Sequence, residues 1–279
     1  MLIRCWGARG SIPVSGREYI RYGGNTTCLE IRSENNDVII IDAGSGIRKA
    51  GKALLKEGVK DINIIFTHAH WDHLLGFPFF NPIYFSGADI NLFGCPFAQE
   101  SIERIIAPTM TAPYFPVNFS DVAANFHFHK VCHAPFMVGA IEVTPIMLSH
   151  PNQGIGFRFH ENGKRFVFLT DNELTYVHEG GLNYKDYVEF SAGADLLVHD
   201  SEYLEEEYKT TKMWGHSVYK DALNLALDAG VMTFGLFHHN QERSDDAIDD
   251  MVIACKKIIA QKDSYLECFA MYEGQEIVL

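Results

Sequence analysis

Strand-length apolar runs that alternate with helical patterns predict an α/β (α+β) fold, with two mixed β-sheets packed face to face and helices outside. Two features carry the prediction: the alternation spans the chain, and turn chemistry falls between the runs. In order, strands are expected near 2–6, 27–33, 37–42 and 61–66, with a helix near 47–58 whose Leu54 and Leu55 mark one apolar face. The second half repeats the scheme, with strands near 139–148, 154–160, 165–170, 194–199, 231–237, 265–271 and 275–278 and helices near 217–229 and 244–260. Asn162-Gly163 separates two alternating strands, and both positions accept positive φ, so a tight hairpin is expected there. Ser217 and Ser244 precede helical patterns as caps, and Asp245, Asp246, Asp249 and Asp250 read as a solvated helix start that suits the dipole.

A length of 279 residues and an apolar fraction of 47% suit one domain over 1–279 with a large core. The charge is acidic: Lys+Arg 23 against Asp+Glu 36, net −13, with no dense basic run. Long nucleic acid is therefore an unfavoured partner, since such binding rests on many Lys and Arg contacts to phosphate. Arg9, Arg17 and Arg21 are the candidates for a local basic patch. The apolar runs are strand-sized and the chain enters a strand at once, so no membrane span or signal segment is expected and the default location is cytoplasmic. Cys5, Cys28, Cys95, Cys132, Cys255 and Cys268 are dispersed without a C-x-x-C pair, which suits reduced thiols.

The chemistry concentrates in Thr67-His68-Ala69-His70-Trp71-Asp72-His73, directly after the strand-like run Ile62–Phe66. Imidazole nitrogen and carboxylate oxygen at H-x-H-x-D-H spacing can feed two neighbouring cations from one loop. Further ligand types follow later apolar runs: His150 after 143–149, Asp171 after 165–170, and His238 with His239 after 231–237. Loops above a sheet can bring such residues to one place. Asp42 is expected to orient the metal loop by hydrogen bonds.

With this ligand order the chain resembles the metallo-β-lactamase superfamily. The resemblance implies a four-layer αββα fold and two divalent ions, zinc or manganese with iron as a further candidate. It places one ion on His68, His70 and His150, the other on Asp72, His73 and His238, with Asp171 bridging. His238 rather than His239 matches the family's last ligand. An oxygen ligand at Asp171, where class B lactamases use Cys, argues against antibiotic hydrolysis. His199-Asp200-Ser201, Trp214-Gly215-His216-Ser217 and the openings at 6–13 and 23–28 resemble the ribonuclease Z and cyclic-nucleotide phosphodiesterase-like branch.

The resemblance thus implies a dinuclear metal-dependent hydrolase, a phosphodiesterase opening a small or cyclic nucleotide phosphodiester through a metal-bridging hydroxide. Asp72 would accept the proton of the water, and Asp200 with His216 would form a dyad that protonates the leaving alcohol or contacts phosphate. Alternatives are RNA processing of the ribonuclease Z kind, thioester or lactone hydrolysis, and a non-enzymatic metal-stabilised binding protein. No Gly/Pro-rich basic arm is present, and the acidic charge favours the small substrate. The aromatic and Pro-rich segment 76–135 is expected to wall the cleft, with core packing or a homodimer interface ahead of base stacking.

Overall fold

The computed structural model describes residues 1–96 and 101–279. Its strands are β1 (Leu2–Gly7), β2 (Cys28–Arg32), β3 (Val38–Ile41), β4 (Asp61–Ile65), β5 (Asp89–Gly94), β6 (Asn125–Lys130), β7 (Phe136–Val138), β8 (Ile141–Leu148), β9 (Gly154–Glu161), β10 (Lys164–Leu169), β11 (Leu196–Asp200), β12 (Thr233–Phe237), β13 (Glu267–Ala270) and β14 (Glu276–Val278). They form two seven-stranded mixed sheets, ordered β14-β1-β2-β3-β4-β5-β6 and β13-β12-β11-β10-β9-β8-β7. Helices α1 (Ile47–Glu57), α2 (Trp71–Leu74), α3 (Ile102–Ile106), α4 (Tyr184–Ser191), α5 (Glu205–Thr211), α6 (Tyr219–Asp228) and α7 (Asp245–Gln261) complete the described elements besides short 3-10 turns.

Three apolar layers explain the stacking. Between the sheets, Ile3, Leu29, Ile31, Ile39 and Ile41 meet Val143, Phe157, Phe159, Phe166, Phe168 and Val198. Beneath α1, Ile47, Ala50 and Leu54 cover Ile40, Ile62 and Ile64, so β3 and β4 are buried on both faces and read as continuous apolar runs. Helices α6 and α7 cover the other sheet through Leu223, Ala226, Ile248 and Cys255 against Leu197 and Phe234. Helix α1 stops at Gly58, whose φ of 75° lets its N–H reach the carbonyls of Leu54 and Leu55.

In each sheet the parallel strands, β3 to β6 and β10 to β13, send their carboxyl ends to the same side. The loops that leave those ends build the site. Asn162 and Gly163, at φ 50° and 78°, turn β9 into antiparallel β10 as expected.

Several expectations are corrected. Cys95 and Cys132 are disulfide-bonded, because parallel pairing of β5 with β6 brings residues 37 positions apart to a Cα separation of 4.9 Å. The other four cysteines are free and buried. Ser217 does not cap α6; its hydroxyl donates to Asn172 O and accepts from Leu174 N. Ser244 does cap α7. Asp245 is buried rather than solvated, accepting from the backbone N–H groups of Arg21 and Tyr22. The basic patch does not form: Arg9 is fully buried and donates to the carbonyls of Gly23, Asn240 and Arg243, while Arg21 pairs with Asp246 and Asp249.

Strand β5 and the short helices α2 to α5 escaped the sequence patterns. In the aromatic segment, Phe77, Phe80 and Ile83 are core, whereas Phe79, Phe85 and Tyr114 are exposed. Residues between 103 and 126, among them Ala107, Met110, Phe119 and Phe126, line a cavity of about 780 Å³, and none of the clustered His and Asp residues below borders it. No helix among the described residues is long and apolar enough to cross a membrane.

Candidate metal centre

The loop after β4 carries Thr67 to His70 and runs into α2, which presents Asp72 and His73 from a single turn. Three more site residues follow other strands: His150 after β8, Asp171 after β10, and His238 after β12. Asp42, Asp171 and His238 all adopt positive φ, at 61°, 55° and 56°. Non-glycine residues in this region cost about 1–3 kcal/mol each, a strain that clusters at functional sites.

These residues converge in two groups. His68, His70, His150 and Asp171 form one, and Asp72, His73, Asp171 and His238 the other, each with ligand atoms within 4.8 Å of one another. Asp171 divides between them. Its Oδ2 lies 3.5 Å from His68 Nε2 and 3.8 Å from His150 Nε2, whereas its Oδ1 lies 3.3 Å from both His73 Nε2 and His238 Nε2. Asp72 Oδ2 completes the second group at 3.3 Å from His73 and 3.2 Å from His238.

The donor set fits metal. Burial drives His68 well below the ordinary histidine range and His150 to about 3, so both offer neutral imidazole. Nε2 of His68 is buried and has no hydrogen-bond partner among the described residues, an orphan that a cation would satisfy. Burial also lowers His73 and His238, but the carboxylates of Asp72 and Asp171 outweigh it and raise both, a sign of positive charge sought at their position.

Outer contacts aim the rings. Asp42 accepts from Thr67 N, Thr67 Oγ1 and His73 Nδ1. His150 Nδ1 donates to Gly215 O at 2.9 Å, and His238 Nδ1 to Glu202 Oε2 at 2.9 Å. His239 turns away and donates from Nε2 to Met271 O. Beside the second group, Nδ1 of His216 lies 2.7 Å from Asp200 Oδ2 and its ring stacks on His238 at 4.7 Å. Burial lowers His216, yet Glu202 and Asp200 prevail and bring it to about 9.

Three residues were missed by sequence reasoning. Glu202 lies two positions after Asp200, a spacing that can return a strand-end side chain to the same side. Glu173 lies two after Asp171; its buried carboxylate accepts from Met213 N, Gly215 N, Tyr208 and His178 and so holds the loop that bears His216. Ser11 donates its N–H to Asp72 Oδ2, a contact that carries no side-chain signal. His127, His129, His133, His160 and His178 stay out of both groups.

The chain is similar to a ribonuclease Z of Picrophilus torridus, 23% identical over 93% of this chain and 91% of that one. In structure it is similar to the metallo-beta-lactamase fold protein YhfI of Bacillus subtilis, with TM-score 0.71, 16% identity and 99% of each chain covered. It is also similar to a diphosphatase of the PhnP family, with TM-score 0.68, 17% identity and 100% and 97% covered. Residues 38–239 match the model of the beta-lactamase superfamily domain, and the chain belongs to the metallo-β-lactamase superfamily, in its ribonuclease Z and phosphodiesterase-like branch.

Proposed function

We propose that the protein is a dinuclear metal-dependent phosphodiesterase that acts on a small or cyclic nucleotide phosphodiester. The observation that carries the reading is the division of Asp171 between two ligand groups directly beside the Asp200–His216 pair. His68, His70 and His150 would hold one cation and Asp72, His73 and His238 the other, with Asp171 shared; zinc or manganese suits these donors. Two such cations supply a water nucleophile near neutral pH and neutralise charge that builds on the phosphate.

The chain's own groups handle the protons. Asp72, held by Ser11 N, accepts the proton of the attacking water. The water oxygen bonds to phosphorus as the bond to the leaving oxygen breaks. His216 delivers the proton that the leaving oxygen needs from Nε2, because Nδ1 is engaged with Asp200. The net charge of −13 and the buried or paired state of Arg9 and Arg21 support a small monoanionic substrate over a long polyanion.

RNA processing is the second reading, favoured by the ribonuclease Z relatives. One comparison separates the two: turnover of 2′,3′- and 3′,5′-cyclic nucleotides by zinc- and manganese-loaded protein, beside short single-stranded RNA and an Asp171→Ala control. Metal-dependent ring opening that is absent in the control supports the proposal. RNA cleavage alone would replace it with the nuclease.

A further inference from the structure

We infer that the pocket beside His216 is a leaving-group subsite for an alcohol that carries no anionic group, seated against Trp214, and that it turns away an alcohol bearing a second phosphate. The inference rests on the phosphodiesterase reading, which puts the leaving oxygen at His216.

The pocket measures about 370 Å³, within the span of small-ligand sites of roughly 300–1,000 Å³, and Ser11, Thr211, Trp214, His216 and Gln241 are among its walls. Its inner end is the reacting end, since Ser11 donates to Asp72 and His216 borders His238. Its outer end offers an aromatic platform. Trp214 is 63% exposed, yet its backbone is held: Trp214 N donates to Thr211 O, and the flanking N–H groups of Met213 and Gly215 both donate to buried Glu173. An exposed ring on a fixed backbone binds at low ordering cost.

Charge then sorts the ligands. The pocket's lining includes the carboxylates of Glu202, Glu207 and Glu242 and, among the described residues, no Lys or Arg. Glu202 is engaged by His238 and Asn240, and Glu207 by Arg243. Glu242 is exposed, and among the described residues no ion pair offsets it. Apart from His216, which serves the reacting phosphate at the inner end, the lining offers no cation to a second phosphate on the leaving alcohol, whereas a neutral ring or an alkylammonium group is attracted to the indole face. Gln241 adds a polar side chain to the wall, its Oε1 buried without a hydrogen-bond partner among the described residues.

Two readouts test this with the zinc-loaded full chain. Binding of free uridine and of free choline is measured by equilibrium methods on wild type, Trp214→Ala and Trp214→Phe. The expected result is at least a tenfold loss of affinity in Trp214→Ala with recovery in Trp214→Phe, and the ligand that shows it distinguishes a neutral ring from a cation. Equal affinity in all three proteins overturns the platform. Turnover is compared for a dinucleoside monophosphate and its analogue phosphorylated on the leaving nucleoside, in wild type and Glu242→Lys. The ratio should favour the unphosphorylated substrate and shift at least tenfold toward the other in Glu242→Lys; an unmoved ratio overturns the charge filter. Failure to turn over any phosphodiester defeats the function proposed above, and the binding series still decides the pocket.

Discussion

Nδ1 of His73 lies 2.7 Å from Oδ2 of Asp42, 31 positions earlier at the end of β3. Both are fully buried, and Asp42 also takes the N–H and hydroxyl of Thr67. With Nδ1 donating there, the lone pair of Nε2 points at Asp72 and Asp171, the orientation a metal ligand needs.

Asp42→Ala should therefore weaken metal binding about 10–100-fold, as loss of such supports does in other sites. Competition against a chromogenic chelator measures it. The same change leaves Thr67 N–H buried without its acceptor, at about 1–3 kcal/mol of stability, visible as a lowered Tm.

The neighbours His238 and His239 should separate cleanly. His238→Ala removes a ligand and is expected to leave about one metal per chain by elemental analysis, with activity lost. His239→Ala should keep two, because its Nε2 bonds to Met271 O and faces away from both ligand groups, and should cost stability of about 1–3 kcal/mol from the broken bond and the space left. Equal metal content in the two variants would contradict the assignment of His238.

Gly215 and Gly230 make a matched pair. Both have positive φ, at 95° and 60°, so alanine at either costs about 1–2 kcal/mol of backbone strain. A Cβ at Gly230 meets nothing within 4 Å, whereas one at Gly215 comes to 2.2 Å from Nδ1 of His150. Gly215→Ala should reduce activity and metal affinity at least tenfold, and Gly230→Ala should lower Tm alone. Steady-state kinetics with a metal titration on both variants checks it.

Asp200→Asn is expected to depend on the leaving group. With the carboxylate gone, His216 loses its strongest partner at Nδ1 and donates a proton less well, so kcat should fall about 10²–10⁴-fold on an alkyl phosphodiester. A 4-nitrophenyl leaving group departs without much protonation, and the loss there should be far smaller. An equal loss on both substrates would assign the pair to phosphate binding.

Much of the fold was readable because its signals are local. The runs of β1 to β4 and β8 to β12, the Asn162-Gly163 turn and the alternation with α1, α6 and α7 follow from side-chain period and φ preference. Strand β5 and the short helices α2 to α5 were not, although β13 and β14 were. Strand β5 is a short alternation inside the aromatic segment whose Ile90 and Leu92 are buried while Asp89 is exposed, and α2 is a single turn. Asp245 has the composition of a solvated helix start, and only the return of the 16–22 segment across α7 buries it.

The same division runs through the site. Residue type and the H-x-H-x-D-H spacing determine which side chains can bind cations, since a nitrogen or oxygen donor is a property of the residue itself. Tertiary structure alone decides that Asp171 offers one oxygen to each group, that His239 faces Met271, that Cys95 meets Cys132, and that Glu173 and Glu202 support residues far along the chain. Those outcomes are set by how two sheets stack and where their loops end, and a buried polar group takes whichever partner that packing brings within about 3 Å.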